Sequence, residues 1–280
     1  MREEQLSTIA IITGANRGIG KATALAFAQR GMVVILACRN MESAERARSE
    51  IIAQTHNKNV HALHLDLASR ESVELFVREF QARFDHLNIL VNNAGISTMA
   101  RTFTLDGYES HIGTNFIGPA LLTTLLLPYF QPHADNRVVN VVSNIYRIGL
   151  FRLERMNMYR WFKAYAVSKY LLLLFTLELA DRLSGRGIAV NAVHPGIVKT
   201  SIMYTGKWFD IIIKIILSPF FIDVAEGAAT SVYAATAEEV KNVSGQYFSD
   251  SKARRVPRLY NRPKERAIVW DIVQKIIDEI

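Results

Sequence analysis

Ile9-Ala10-Ile11-Ile12-Thr13-Gly14-Ala15-Asn16-Arg17-Gly18-Ile19-Gly20 is the stretch whose reading decides the fold. Its four leading apolar residues read as a short buried strand, and Ile19–Arg30 has the length and apolar spacing of a helix. The glycine-rich turn between them is tight enough to bring backbone N–H groups to a pyrophosphate at the helix N-terminus. Its G-x-x-x-G-x-G spacing is neither the G-x-G-x-x-G dinucleotide fingerprint nor a P-loop ending in Gly-Lys-Ser/Thr.

The same alternation continues outward. Val33–Ala37, Val60–Leu65, Ile89–Val91, Val138–Val142, Ile188–Val193 and Gln246–Phe248 read as further strands. Ser43–Thr55, Glu71–Phe84, Tyr108–Leu127 and Ala164–Leu183 have helical length and spacing. Strands that are apolar on both faces, separated by helices, predict an α/β chain with a parallel sheet covered on both sides. With no repeat, low-complexity tract or linker, 280 residues read as one doubly wound, Rossmann-type domain of about seven strands. Residues 1–145 form mainly the nucleotide half, and 146–280 the remainder. Glu265–Ile280 repeats apolar residues at Ile268, Val269, Ile272, Val273, Ile276 and Ile277, an amphipathic helix expected to pack back on the domain.

Composition excludes several classes. The net charge of +7 is local: Lys252, Arg254, Arg255, Arg258, Arg262, Lys264 and Arg266 face a single acid, Glu265, within 252–266. A patch of that kind does not argue for nucleic acid. One cysteine, Cys38, permits no internal disulfide and fits a reducing, cytoplasmic setting. Met1-Arg-Glu-Glu-Gln is polar ahead of Ile9, so no signal peptide is expected. No metal site is expected either: His61 and His64 are three apart on a strand and face opposite sides. A G-x-S-x-G elbow for hydrolysis is also missing.

Dinucleotide sites that take NAD usually carry an acid about 20 residues past the turn, bonding the ribose 2′-OH. Here the second strand ends Ala37-Cys38-Arg39-Asn40, with no carboxylate. Arg39 suits a 2′-phosphate, with Arg17 as a second positive charge, so NADP(H) is favoured over NAD(H).

Tyr165-Ala166-Val167-Ser168-Lys169 places a phenol and an ammonium one helical turn apart. Neither is a useful base alone near neutrality, and a close positive charge would favour phenolate and lower the tyrosine pKa. The run Tyr170–Leu179 that follows is apolar on most sides and would hold the pair rigidly.

Together these motifs resemble the short-chain dehydrogenase/reductase family over nearly the whole chain. Thr13-Gly14-x-Asn16-Arg17-Gly18-Ile19-Gly20 looks like its cofactor turn, Asp66 before Leu67 matches the acid that contacts the adenine, and Asn92-Asn93-Ala94-Gly95 closes the fourth strand. Asn115 sits where the family has its relay asparagine, and Ser143 ends a strand ahead of Tyr165 and Lys169. His194-Pro195-Gly196, with Val198 and Thr200, matches the turn that cups the nicotinamide. The resemblance implies Asn115, Ser143, Tyr165 and Lys169 as catalytic residues, and Ser143 and Tyr165 as the substrate contacts. It implies a cofactor site of Thr13, Gly14, Asn16, Arg17, Gly18, Ile19, Gly20, Arg39, Asn40, Asp66, Leu67, Asn93, Ala94, Gly95, Tyr165, Lys169, Pro195, Gly196, Val198 and Thr200. Tyr165 would exchange a proton with the substrate oxygen while Lys169 lowers its pKa, Ser143 holds that oxygen, and Asn115 positions a relay water.

The interval from Ser143 to Tyr165 is wider than the roughly dozen residues many members leave. That insertion, rich in Arg, Met, Tyr and Trp over Arg147–Lys163, resembles the retinol dehydrogenase-like branch, as do Ala37–Met41, His194–Thr200 and Gly245–Asp250. This branch implies a lipophilic alcohol, aldehyde or ketone as substrate. Trp208–Ile222, inside the lid region 200–223, is too short to span a bilayer and carries Asp210, Lys214 and Pro219. It reads as a greasy lid, a membrane-surface helix or a subunit contact, and the three stay open. The basic patch 252–266 would reinforce a position peripheral to a membrane. The apolar helix 164–183 would suit a homo-oligomer seam, and equally a core. The expectation is an NADP(H)-dependent oxidoreductase; the alternatives are a catalytically silent nucleotide sensor and a membrane-surface lipid-binding protein.

Overall fold

In a computed structural model that describes residues 7–131, 134–148, 161–196 and 223–279, strands and helices alternate as the sequence predicts. Residues 149–160 of the insertion, Val198, Thr200 and the apolar segment 208–222 lie outside the described residues. The strands are β1 (Ile9–Thr13), β2 (Val33–Cys38), β3 (Val60–His64), β4 (Ile89–Asn92), β5 (Asn136–Val141), β6 (Ile188–His194), β7 (Tyr247–Ser249) and β8 (Lys252–Arg254). The helices are α1 (Gly18–Ala28), α2 (Met41–Thr55), α3 (Arg70–Arg83), α4 (Ser110–Tyr129), α5 (Trp161–Arg182), α6 (Val224–Thr236) and α7 (Pro263–Asp278).

The strands run β3-β2-β1-β4-β5-β6-β7-β8, one more than the sequence predicts. Among the described residues seven strands pair in parallel and β8 alone is antiparallel, turning back on β7 through Asp250 and Ser251 at φ 54° each. Lys252–Arg254 is too short, too charged and too exposed to read as a strand from its pattern. The chain moves outward from β1 to β3, then returns to lay β4 on the other side of β1. The resulting switch point lies between the ends of β1 and β4, where doubly wound sheets bind their ligands.

Alternation along β1 feeds two cores. Ile9 and Ile11 point to the side covered by α3, α4, α5 and α7, and Ala10 and Ile12 to the side covered by α1, α2 and α6. Both faces of the strand are therefore buried, which explains its continuous apolar run. Between the ends of the central strands, Asn92 donates to Asn140 and Thr123, and Asn140 to Thr176, each at 2.8–2.9 Å. These buried amides find partners in one another, which limits the cost of placing them in the core.

α4 is long and apolar enough to cross a membrane, yet most of it is buried inside the fold. It is a core helix, and a π-helical turn over Gly113–Ile117 interrupts its ladder. α7 packs on α5 as its periodicity predicts: Val269, Val273 and Ile276 are buried, and burial of this kind stabilises by about 1.5–3 kcal/mol per side chain. The pattern overreaches at Ile268 and Ile272, which are 59% and 41% exposed. Trp270 stacks on Phe175 at 6.3 Å, and the Arg182 guanidinium lies over the Trp270 ring, 4.3 Å from its centroid. The apolar faces of α5 are thus taken up by the sheet and by α7.

Candidate active site

Six predicted positions sit at one edge of the sheet because each follows the C-terminal end of a parallel strand. Gly14 follows β1, Arg39 β2, Asp66 β3, Asn93 β4, Ser143 β5 and Pro195 β6. Chain-distant residues converge there by topology alone.

The β1–α1 turn is held from below and from the side. Gly14 adopts φ 66°, a conformation L side chains rarely take, and donates to the Ala37 carbonyl at 2.8 Å. A Cβ on Gly20 would lie 2.4 Å from Asn93 Nδ2 and 2.6 Å from the Gly14 carbonyl oxygen, so only glycine lets α1 start this close to the β4 loop. Asn93 Nδ2 donates to the Thr13 carbonyl at 2.8 Å, and Thr13 Oγ1 accepts from the Ala94 N–H at 2.9 Å. Asn16 donates to Ser43 Oγ at 2.8 Å, while the Asn40 side chain caps α2 through the Ser43 N–H. The buried Cys38 thiol faces the Ala15 and Asn16 amides, and burial pushes it up to about 11.

α2 and α3 are capped by the side chains of Asn40 and Ser69, whereas α1 has no side-chain cap. The first N–H groups of α1, over Gly18, Ile19 and Gly20, therefore face the open turn and suit an anion. Arg17 is exposed beside them. Arg39 is also exposed, with its side chain at 69%, and its Nη1 lies 4.0 Å from Asp66 Oδ2. Leu67 is buried under α4, where the Gly118 Cα approaches its carbonyl. A tight glycine cradle, an uncapped helix start and two exposed guanidiniums fit a dinucleotide carrying phosphates.

Lys169 is almost fully buried, and its ammonium donates to the Val141 carbonyl at the end of β5 at 2.8 Å. It lies 6.0 Å from the centroid of the Tyr165 ring. Burial pushes Tyr165 up to about 12 and Lys169 down to about 8, because both charged forms lose water. At neutral pH Tyr165 holds its proton and can give it.

Asn115 is fully buried in the π-helical turn. Its Oδ1 accepts from the Ile96 N–H at 2.7 Å, and its Nδ2 donates to the Ile96 carbonyl at 2.9 Å and to Ser168 Oγ at 3.0 Å. The side chain fastens the post-β4 loop. A Cβ on Gly95 would lie 3.3 Å from both Asn115 Oδ1 and Lys169 Nζ, which measures how closely the three meet. Ser143 is partly buried and opens the turn over Asn144–Ile148, where its Oγ accepts a long 3.4 Å bond from the Ile145 N–H. His194 is buried with Nδ1 unpartnered, and burial pushes the imidazole down to about 4. Gly196, at φ 81°, turns the chain after Pro195.

Three residues in this region escape the sequence reading. Ser168 passes its hydrogen to the Tyr165 carbonyl at 2.7 Å while accepting from Asn115. His111 packs edge-on to the Tyr165 ring at 6.2 Å, and Glu109 holds His111. Burial alone would raise the Glu109 carboxyl; the bonds from His111 and two backbone amides outweigh it and hold it below the usual carboxylate range. Nothing in their spacing marked any of the three.

Comparison with known proteins gives the class. The family model for short chain dehydrogenases matches residues 8–207. Retinol dehydrogenase 12 of Mus musculus is 41% identical over 267 residues, covering 94% of this chain and 84% of the relative. Retinol dehydrogenase 13 of Mus musculus is 42% identical over 247 residues, covering 85% and 74%. Among solved structures, an uncharacterised protein from Mycobacterium paratuberculosis superposes with a TM-score of 0.73 at 30% identity, covering 97% of this chain and 95% of its own. A blue fluorescent protein from a metagenomic library, in complex with NADPH, gives 0.69 at 26%, covering 86% and 95%. The chain belongs to the short chain dehydrogenase family. It is a nicotinamide-dependent oxidoreductase acting on CH–OH groups.

Proposed function

We propose that the protein interconverts a lipophilic alcohol, of retinoid-like character, with its aldehyde or ketone, using NADP(H) in preference to NAD(H). The observation that carries the cofactor choice is Arg39, exposed at the end of β2 where a ribose-binding carboxylate would otherwise stand. Arg17 beside the uncapped start of α1 supports it, as does the NADPH bound by the metagenomic relative. Asn16, Gly18, Ile19, Gly20, Asn93, Ala94 and Gly95 would line the dinucleotide, with Asp66 and Leu67 toward the adenine.

The cofactor, when bound, supplies or accepts the hydride. Tyr165 gives its phenolic proton to the carbonyl oxygen in reduction and takes the hydroxyl proton in oxidation. Ser143 donates a hydrogen bond to the same oxygen as charge develops on it. Lys169, anchored on Val141, supplies a cation near the phenol. A lipophilic substrate is supported by the names of the relatives and by the loop after β4, which leaves Met99, Phe103 and Leu105 exposed, Leu105 at 89%.

A peripheral membrane position within the cytoplasm belongs to the same reading. Lys252, Arg255, Arg258 and Lys264 are exposed in the stretch from β8 to the start of α7. The testing experiment is a titration with NADPH and NADH followed by nicotinamide fluorescence, then turnover of retinaldehyde and short aldehydes. Selective NADPH binding with preference for the long apolar aldehyde is the expected result. Equal affinity for the two cofactors would overturn the NADP(H) assignment, and preference for short polar aldehydes the substrate class.

A further inference from the structure

We infer that Glu109 and His111 form a positioning pair that fixes the Tyr165 ring and the loop beside it in the geometry for proton transfer. His111 is fully buried, and its two ring nitrogens are both used. Nε2 lies 3.0 Å from the Thr98 backbone nitrogen, and Nδ1 lies 2.7 Å from Glu109 Oε1. A backbone N–H can only donate, so Nε2 is the acceptor and the imidazole proton sits on Nδ1, toward the carboxylate. Glu109 is fixed in turn, because its Oε2 accepts from the N–H groups of His111 and Ile112 at 3.0 and 3.1 Å. The carboxylate thus sets the tautomer, and the tautomer sets which partner the far nitrogen takes.

The fixed imidazole meets Tyr165 edge-on, with centroids 6.2 Å apart and planes at 68°, a favoured geometry for aromatic pairs. Asn115 pins Ile96 through both of its backbone groups, and His111 pins Thr98 two residues on. The two α4 side chains therefore clamp the strip 96–98 from either end, with the catalytic phenol against one of them. Without the imidazole, the phenol loses the neighbour that restricts its ring and the strip loses its second anchor. The role rests on Tyr165 being the proton-transfer group.

The test compares His111→Leu, which keeps bulk but loses both hydrogen bonds, with His111→Gln, whose amide offers one donor and one acceptor. The leucine variant is expected to lose about tenfold or more in kcat, as small misplacements at a reacting centre do. Its KM for NADPH should stay within about twofold, the signature of an interaction that matters beyond binding. Amide exchange at Thr98 should accelerate, and His111→Gln should recover most of the lost kcat. Wild-type kcat in a folded His111→Leu protein overturns the pair. So do equal losses in both variants that track a lowered thermal midpoint, since that outcome means a role in folding alone. If His111→Leu does not fold, Glu109→Ala decides: a kcat several-fold down with unchanged NADPH affinity supports the pair, and wild-type kcat overturns it. Should the wild-type protein bind NADPH yet turn over no alcohol or carbonyl, the catalytic reading fails by itself. Thr98 exchange that is unchanged by His111→Leu would then refute the clamp separately.

Discussion

Lys169 spends a hydrogen bond on the Val141 carbonyl, 2.8 Å away, while its ammonium stays 6.0 Å from the centroid of the Tyr165 ring. The lysine on α5 is thereby locked to the end of β5, the strand that leads into Ser143. Its bond to the sheet fixes the ammonium in place, and burial of the phenol pushes Tyr165 up.

Tyr165→Phe removes that proton and little else. Turnover should fall by about 10²–10⁴-fold, the usual worth of a positioned acid or base. NADPH affinity, read by fluorescence titration, should be nearly unchanged. Turnover near the wild-type rate would remove Tyr165 from the proton-transfer step.

Arg39→Ala should weaken NADPH far more than NADH, because the guanidinium is expected to face a group that only NADPH carries. The ratio of the two dissociation constants is the measurement. Parallel losses would assign Arg39 to the adenine or to its 4.0 Å approach to Asp66.

His194 predicts acid sensitivity. Its folded pKa, pushed by burial to about 4, lies below the ordinary value near 6.5, so the unfolded chain binds the extra proton first as pH falls. The stability that depends on a neutral His194 is fully present above about pH 6.5 and is lost as pH falls toward 4, on the order of 3 kcal/mol in all. Denaturant unfolding at pH 7 and pH 5 should show the drop in wild type and a smaller one in His194→Gln. An identical drop in both would place the acid sensitivity elsewhere.

Arg266→Ala should destabilise the protein by about 1.5–3 kcal/mol, the worth of a hydrogen bond to a charged group at a part-buried site. The guanidinium bonds Glu178 at 3.1 Å, the Leu177 carbonyl at 3.1 Å, and Asp181, tying α7 to α5. Chemical denaturation gives the number. A change below about 0.5 kcal/mol would mean the bridge behaves as an exposed one.

Much of the fold and the site is legible locally. Ile9–Gly20 announces strand, turn and helix because buried parallel strands are apolar on both faces and the turn admits only glycine at Gly14 and Gly20. The Tyr165–Lys169 pair is legible because helical spacing alone places the two together. The eighth strand is not, since Lys252–Arg254 pairs through its backbone on an exposed edge and has no apolar pattern to betray it.

By itself the sequence determined which residues could do chemistry, the order of the elements and the absence of an acid after β2. Tertiary structure alone decided their neighbours. Desolvation, which a linear pattern cannot express, pushes the Tyr165 phenol up. Packing turned Asn115 into a clamp on Ile96, and it set His111 between Glu109, Thr98 and the Tyr165 ring. Spacing reports which side chains share a face of one element. Contacts between α4, α5 and the loop after β4 depend on where the whole sheet carries them.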